Sequence, residues 1–310
     1  MGRVGPVVRG YVPLLLIVAA IWGASYLFIK VAVDEIEPTA MMALRLALAA
    51  LVLVPVLALR AGAREAVAAV RETGAGAWVL GVFNMAVPFV LIAWGEKYID
   101  SGVAAIANAS VPIFVALLAL RFVRIEQVRG VRLVGVLMGL AGVGVLTGLD
   151  PDGGWWAVAG TLAVVLASLS YAGSQLYAQQ RFPGTAPLVY TTSATLVGTL
   201  VLLPLALVQL PEAVPSWEAL ASVAALGIAG TAIALLFFYA MISRYGASRA
   251  ALVTYLLPPF ALFYGVVFLD ERMTLNAILG LVLILAGVAL GSGLAQVARR
   301  RAAAPATPRA

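Results

Sequence analysis

Polar side chains recur at helical spacing inside otherwise apolar segments. Trp22, Tyr26 and Lys30 stand four residues apart, with Ser25 beside them. Residues four apart share one face of a helix, so indole, phenol and cation form a stripe. The spacing returns 149 residues later as Tyr171, Gln175 and Gln179, with Ser174 in the place of Ser25. Such stripes can present hydrogen bonds and aromatic faces to a small molecule, or can bind helix to helix. Asn108 lies four before Pro112, and Thr254 four before Pro258, with Tyr255 alongside. Proline deletes one backbone hydrogen bond and kinks a helix. Within a membrane the freed carbonyl is tolerated only where protein or cavity water satisfies it. Asn84 and Pro88 form a similar pair, but the stretch aligned with them, Gly230 to Ala234, has no proline. A solute path is therefore expected along Trp22, Ser25, Tyr26, Lys30, Asn84, Asn108, Pro112, Tyr171, Ser174, Gln175, Thr254, Tyr255 and Pro258.

The chemistry open to these groups is binding. The chain has no His and no Cys, which removes the commonest metal ligand, the thiol nucleophile and the disulfide. Ser25 and Lys30 are five apart and so point to different faces of a helix. With no positioned nucleophile, base or metal ligand, the reading is a non-enzyme without cofactor or metal. Two charges fall within apolar segments, Lys30 and Arg45, both nearer the outer face. Each can snorkel to the interface or face inward and attract a carboxylate or other anion. Glu96, Asp100, Asp270 and Glu271 border the outer face and Glu126 the inner one, so no carboxylate is expected at depth.

The elements that must position these residues are set by hydropathy. Of 310 residues 63% are hydrophobic and 11% charged, against roughly half and a quarter in soluble domains. A membrane crossing takes about 20 apolar residues. Spans are expected near 12–33, 39–59, 75–95, 101–120, 130–149, 155–178, 186–209, 217–241, 247–268 and 275–295, with the first run read as a retained helix. With the N-terminus inside, sixteen basic residues fall in cytoplasmic segments and only Lys97 and Arg272 on the opposite side. That asymmetry is the positive-inside pattern. It places both termini in the cytoplasm of a multi-pass protein of the bacterial inner (plasma) membrane, with Asp34 and Asp152 outside. The net charge of +6 is spread among loops, which argues against a nucleic-acid partner. The partners expected are a small-molecule solute and the lipid bilayer; oligomeric state is left open.

The chain also repeats itself. Ser25, Leu27, Pro38 and Pro55 return as Ser174, Leu176, Pro187 and Pro204, all at the same offset, and Ala141-Gly142-Val143 returns as Ala286-Gly287-Val288. Five spans per half would insert the second half upside down, an arrangement used by secondary transporters. The fold expected is an all-α membrane protein of ten transmembrane helices in two inverted five-helix repeats, 1–149 and 150–296, with a disordered cytoplasmic tail over 297–310. The Gly-rich fifth and tenth spans are assigned to packing.

The segment WGASYLFIK (22–30), Arg45 in the second helix, and the closing segments 112–146 and 258–290 resemble the EamA-type transporters of the drug/metabolite transporter superfamily. The first closing segment departs from the family pattern at RFVRIEQ. The resemblance spans nearly the whole chain. It implies ten helices in inverted repeats and export of metabolites, without naming the solute. Amino acids or similar small amphipathic metabolites suit the chain. A phosphate-ester or nucleotide-sugar exchanger would need several buried cations. Without a deep carboxylate, uniport is favoured over proton-coupled antiport.

Overall fold

The computed structural model describes residues 6–122, 131–147, 154–211 and 213–291. Among them the secondary structure is helical, with no strand. Glu126, Asp152 and the tail from 297, all used above, lie outside the described residues. Helix α1 (Pro6–Val33) is followed by α2 (Pro38–Ala61) and α3 (Ala63–Thr73). The next segment is α4 (Ala75–Leu80), a π-helical turn over Gly81–Ala86, and α5 (Val87–Glu96). Then come α6 (Ser101–Asn108), α7 (Val111–Phe122), α8 (Val131–Thr147) and α9 (Gly154–Arg181). The chain goes on through α10 (Pro187–Val208) and α11 (Trp217–Gly227), a second π turn over Ile228–Ile233, and α12 (Ala234–Tyr245). It closes with α13 (Ala247–Ala250), α14 (Val253–Phe268) and α15 (Leu275–Gly291).

Among the described residues, seven segments are long and apolar enough to cross a membrane, and three apolar helices are shorter, Leu133–Leu146, Val253–Phe268 and Leu275–Leu290. Pro38 and Pro187 sit in the first turns of α2 and α10, where a missing N–H costs nothing. Helix α3, which falls between the spans expected at 39–59 and 75–95, is a helix of its own. Glu65 in its first turn and Arg71 in its last complement the helix dipole.

Helix α1 packs on α14, α9 on α5, α6 and α7, α2 on α10, and α8 on α15. The last pair is the tightest. A Cβ placed on Gly287 would stand 2.5 Å from Gly139 N and 2.6 Å from Gly135 O. Only glycine lets the two backbones approach so closely. Helix α10 carries a run of hydroxyls through its buried face. Ser193, Thr195 and Thr199 donate to the carbonyls four residues back, which satisfies them without water. Leu51, Leu59, Leu200, Phe263 and Val282 stand exposed, a surface suited to lipid.

Candidate functional site

A cavity of about 630 Å³ lies among α1, α2, the two π-turn segments, α6, α7, α9, α10 and α14. That falls in the range of small-molecule sites. Its walls take Trp22, Ser25 and Tyr26 from α1, Arg45 from α2, and Tyr171, Ser174, Gln175 and Gln179 from α9. Asn84 and Phe89, Asn108 and Pro112, Thr231, Phe238 and Tyr239, and Thr254 add further polar and aromatic lining. Neither α8 nor α15 contributes.

Of the residues expected on the path, Lys30, Tyr255 and Pro258 do not line this cavity. Lys30 Nζ donates to the carbonyls of Glu96 at 2.6 Å and Ile99 at 3.0 Å. It thus caps the end of α5, where unpaired carbonyls attract a cation, and does so neither by snorkelling nor by facing a solute. Pro258 is buried inside α14. At Pro112 the distortion is a full break in the preceding turn: α6 ends at Asn108 and α7 starts at Val111. Ser110 Oγ takes the Ala107 carbonyl at 2.7 Å.

Polar contacts at and behind the cavity wall fall in three separate groups. Asn108 Nδ2 donates to Tyr26 Oη at 2.8 Å, and Ser168 Oγ lies 3.2 Å from Asn108 Oδ1. Thr191 and Tyr239 share a hydrogen bond. Arg45, 6% exposed, donates from Nε to Thr231 Oγ1 at 2.9 Å, and its guanidinium carbon lies 4.1 Å over the Phe89 ring. Thr231 in turn donates to the Leu226 carbonyl at 2.9 Å. Ser170 does the same for the Phe83 carbonyl at 2.6 Å. Each π-turn segment thus takes part in a hydroxyl-to-carbonyl bond, the first as acceptor through Phe83 and the second as donor through Thr231, and such turns concentrate at functional sites. The sequence pointed to Asn84 and noted that the aligned stretch lacks its proline. It did not point to Thr231, Phe89, Phe238 or Tyr239, whose only signal was aromatic residues close to a small-residue run.

The lining reaches Thr185 in the turn before α10, Pro187 at the start of α10, and Ala251 before α14. This is the end that carries Arg181, Arg244 and Arg249. Among the described residues, no lining residue comes from the connections at the opposite end. There the helices are tied together. Glu271 accepts from Ser101 N at 2.7 Å, Ser101 Oγ at 2.9 Å and Gly102 N at 3.1 Å, capping α6. Glu35 accepts from Ser216 N and Oγ, which holds its carboxyl below the ordinary value. Lys97 pairs with Glu37 at 3.0 Å. Half-burial raises the Asp100 carboxyl, Glu271 raises it further, and Lys30 opposes. Glu96, read from sequence as bordering the outer face, is 0% exposed, and neither carboxyl oxygen has a hydrogen-bond partner among the described residues.

The EamA-like transporter family model matches this sequence twice, over residues 10–148 and 158–293. The chain belongs to the EamA-like transporter family. It is a membrane transporter. It is 27% identical, over 88% of its own length and 95% of the relative's, to an uncharacterized transporter of Archaeoglobus fulgidus. It is 30% identical, over 73% and 75%, to a protein of Streptantibioticus cattleyicolor named "Probable terminal-alkyne amino-acid exporter". An uncharacterized inner membrane transporter of Escherichia coli, YedA, is 26% identical over 79% and 78%. A crystal structure covering 96% of this chain and 99% of its own superposes with a TM-score of 0.65 at 20% identity, a likeness of fold.

Proposed function

We propose that this EamA-like transporter exports amino acids or similar small amphipathic metabolites across the bacterial inner membrane by alternating access. The observation that carries the reading is the aromatic and polar cavity shared between the two family-matched segments, reaching the basic end and tied shut at the other. On positive-inside grounds the basic end faces the cytoplasm, so the conformation described is the one that loads from inside. The three shorter apolar helices complete a set of ten, related as two inverted halves. Three features support the inversion. The family matches twice. The π turns recur at Gly81–Ala86 and Ile228–Ile233. Contacts exchange between halves, α1 with α14 as α9 with α7.

The solute class follows from the lining. Arg45 is the one charged side chain among the described residues of the wall, too few cations for a phosphate ester. The relative named as an amino-acid exporter favours the same class. Proton-coupled antiport is the second reading, favoured by the enclosed Glu96 carboxyl. Purified protein in liposomes loaded with radiolabelled amino acids tests the proposal. Efflux above protein-free liposomes, reduced in Trp22→Ala and Gln175→Ala while both variants stay folded, is the expected result. Full activity in both variants would remove the cavity from the path.

A further inference from the structure

We propose that the Arg45 guanidinium is the anchor for a carboxylate on the transported solute, so that the cavity selects small carboxylates with an apolar or aromatic body. The inference rests on the cavity being the solute site and adds what that site recognises.

Arg45 lines the cavity and is 6% exposed. A guanidinium stays charged and carries five N–H donors. The protein partners shown for it are few and neutral. Nε meets the Thr231 hydroxyl at 2.9 Å, and Nη1 lies 4.0 Å from the Met42 thioether, a weak acceptor. One face is covered by the Phe89 ring. No Asp or Glu is among the described lining residues, and Arg45 makes no ion pair among the described residues. The enclosed Glu96 makes neither a hydrogen bond nor an ion pair with Arg45 among the described residues, so it is not the anion the guanidinium grips.

Burying a cation without an anion is unfavourable, which leaves Arg45 poised for one that arrives from outside. Its orientation is already set. Thr231 spends its proton on the Leu226 carbonyl and so offers Nε a lone pair. With Nε and one face occupied, the Nη edge remains, and that edge grips a carboxylate through two parallel N–H bonds. The rest of the wall suits the remainder of such a molecule. Trp22, Tyr171, Phe238 and Tyr239 give flat apolar surface. The residue 149 later than Arg45 is Ala194, also in the wall, so the cavity holds one such anchor and not a symmetric pair.

The test uses the full-length protein in lipid nanodiscs and titrates acid and amide pairs: valine and valinamide, phenylalanine and phenylalaninamide, 3-phenylpropanoate and 3-phenylpropanamide. Charge-assisted bonds predict that the acid of at least one pair binds about ten- to hundredfold more tightly than its amide. Arg45→Met should abolish that preference, and Arg45→Lys, which keeps charge but not the fork, should reduce it. The wild-type comparison needs no variant to fold. Acid and amide binding alike, or neither binding, in every pair overturns the anchor. The same probes loaded into liposomes separate the two claims. Efflux without acid preference sinks the anchor and keeps the transporter. Acid preference lost in Arg45→Met, with no efflux of any probe, keeps the anchor and sinks the exporter reading.

Discussion

Lys30 and Glu96 show how one side chain can look functional and be structural, and the reverse. Lys30 neutralises the carbonyl end of α5 through two hydrogen bonds. Lys30→Met should therefore cost stability, about 1–2 kcal/mol for charge-assisted bonds at a helix end. Thermal unfolding of the detergent-solubilised protein reads this as a lower Tm, while acid-over-amide preference in binding stays as in the wild type. Loss of that preference in Lys30→Met would place the cation in the solute path after all. Glu96 is enclosed with two unpartnered oxygens. Its carboxyl has no bond to lose, so Glu96→Gln should unfold at the wild-type temperature or above it. A fall equivalent to more than about 1 kcal/mol would reveal a partner for the carboxylate.

Among the helices, the α8–α15 pair is held by backbone contact and not by side-chain bulk. Gly287→Val must wedge a branched side chain against the Gly139 and Gly135 backbone, and overpacking of this kind costs about 1–3 kcal/mol. Because neither helix lines the cavity, the variant should lose Tm and yield while whatever folds keeps wild-type affinity for its probes. The closed end is held by capping carboxylates, which makes it sensitive to acid. The Ser216 hydrogen bonds depress the Glu35 carboxyl. Its contribution is complete above the ordinary carboxylate value and is lost as pH falls through the depressed one. The Tm difference between wild type and Glu35→Gln should thus narrow over that acid window. Asp100 has the opposite sign. Burial and Glu271 raise it, so Asp100→Asn should stabilise at neutral pH, and the gain should fade as pH falls through the raised value. A pH-independent difference would contradict the hydrogen-bond account of Glu35 in the first variant and the burial account of Asp100 in the second.

For the molecule as a whole, the orientation proposed sets which solution each end meets. The native lack of cysteine makes this directly measurable. A single cysteine at Asp34, exposed after α1 at the tied end, should react with an impermeant maleimide on intact spheroplasts. One at Arg64, exposed on α3, should react only after lysis, and the reverse pattern would invert the protein. Energy coupling is a property of the same scale. If transport is uniport, efflux from liposomes proceeds without a pH gradient and moves no protons. Solute driven uphill by an imposed pH gradient, and no longer driven in Glu96→Gln, would establish the antiport reading instead.

Membrane residence, the family and most helix boundaries were legible in the sequence. Apolar length is a local quantity, and lipid imposes it segment by segment. The stripes of α1 and α9 were legible too, because spacing of four fixes a shared face: Trp22, Tyr26, Tyr171 and Gln175 do meet around one cavity. What escaped was every feature that depends on a partner from far along the chain. The π turns carry no pattern that separates them from ordinary helix. Arg45 and Lys30 looked equivalent, two cations nearer the same face. The fold alone parted them, by setting two spare carbonyls beside Lys30 and a hydroxyl and a ring beside Arg45. A charge within a membrane is defined by what it faces, and what it faces comes from residues some 44 to 186 positions away.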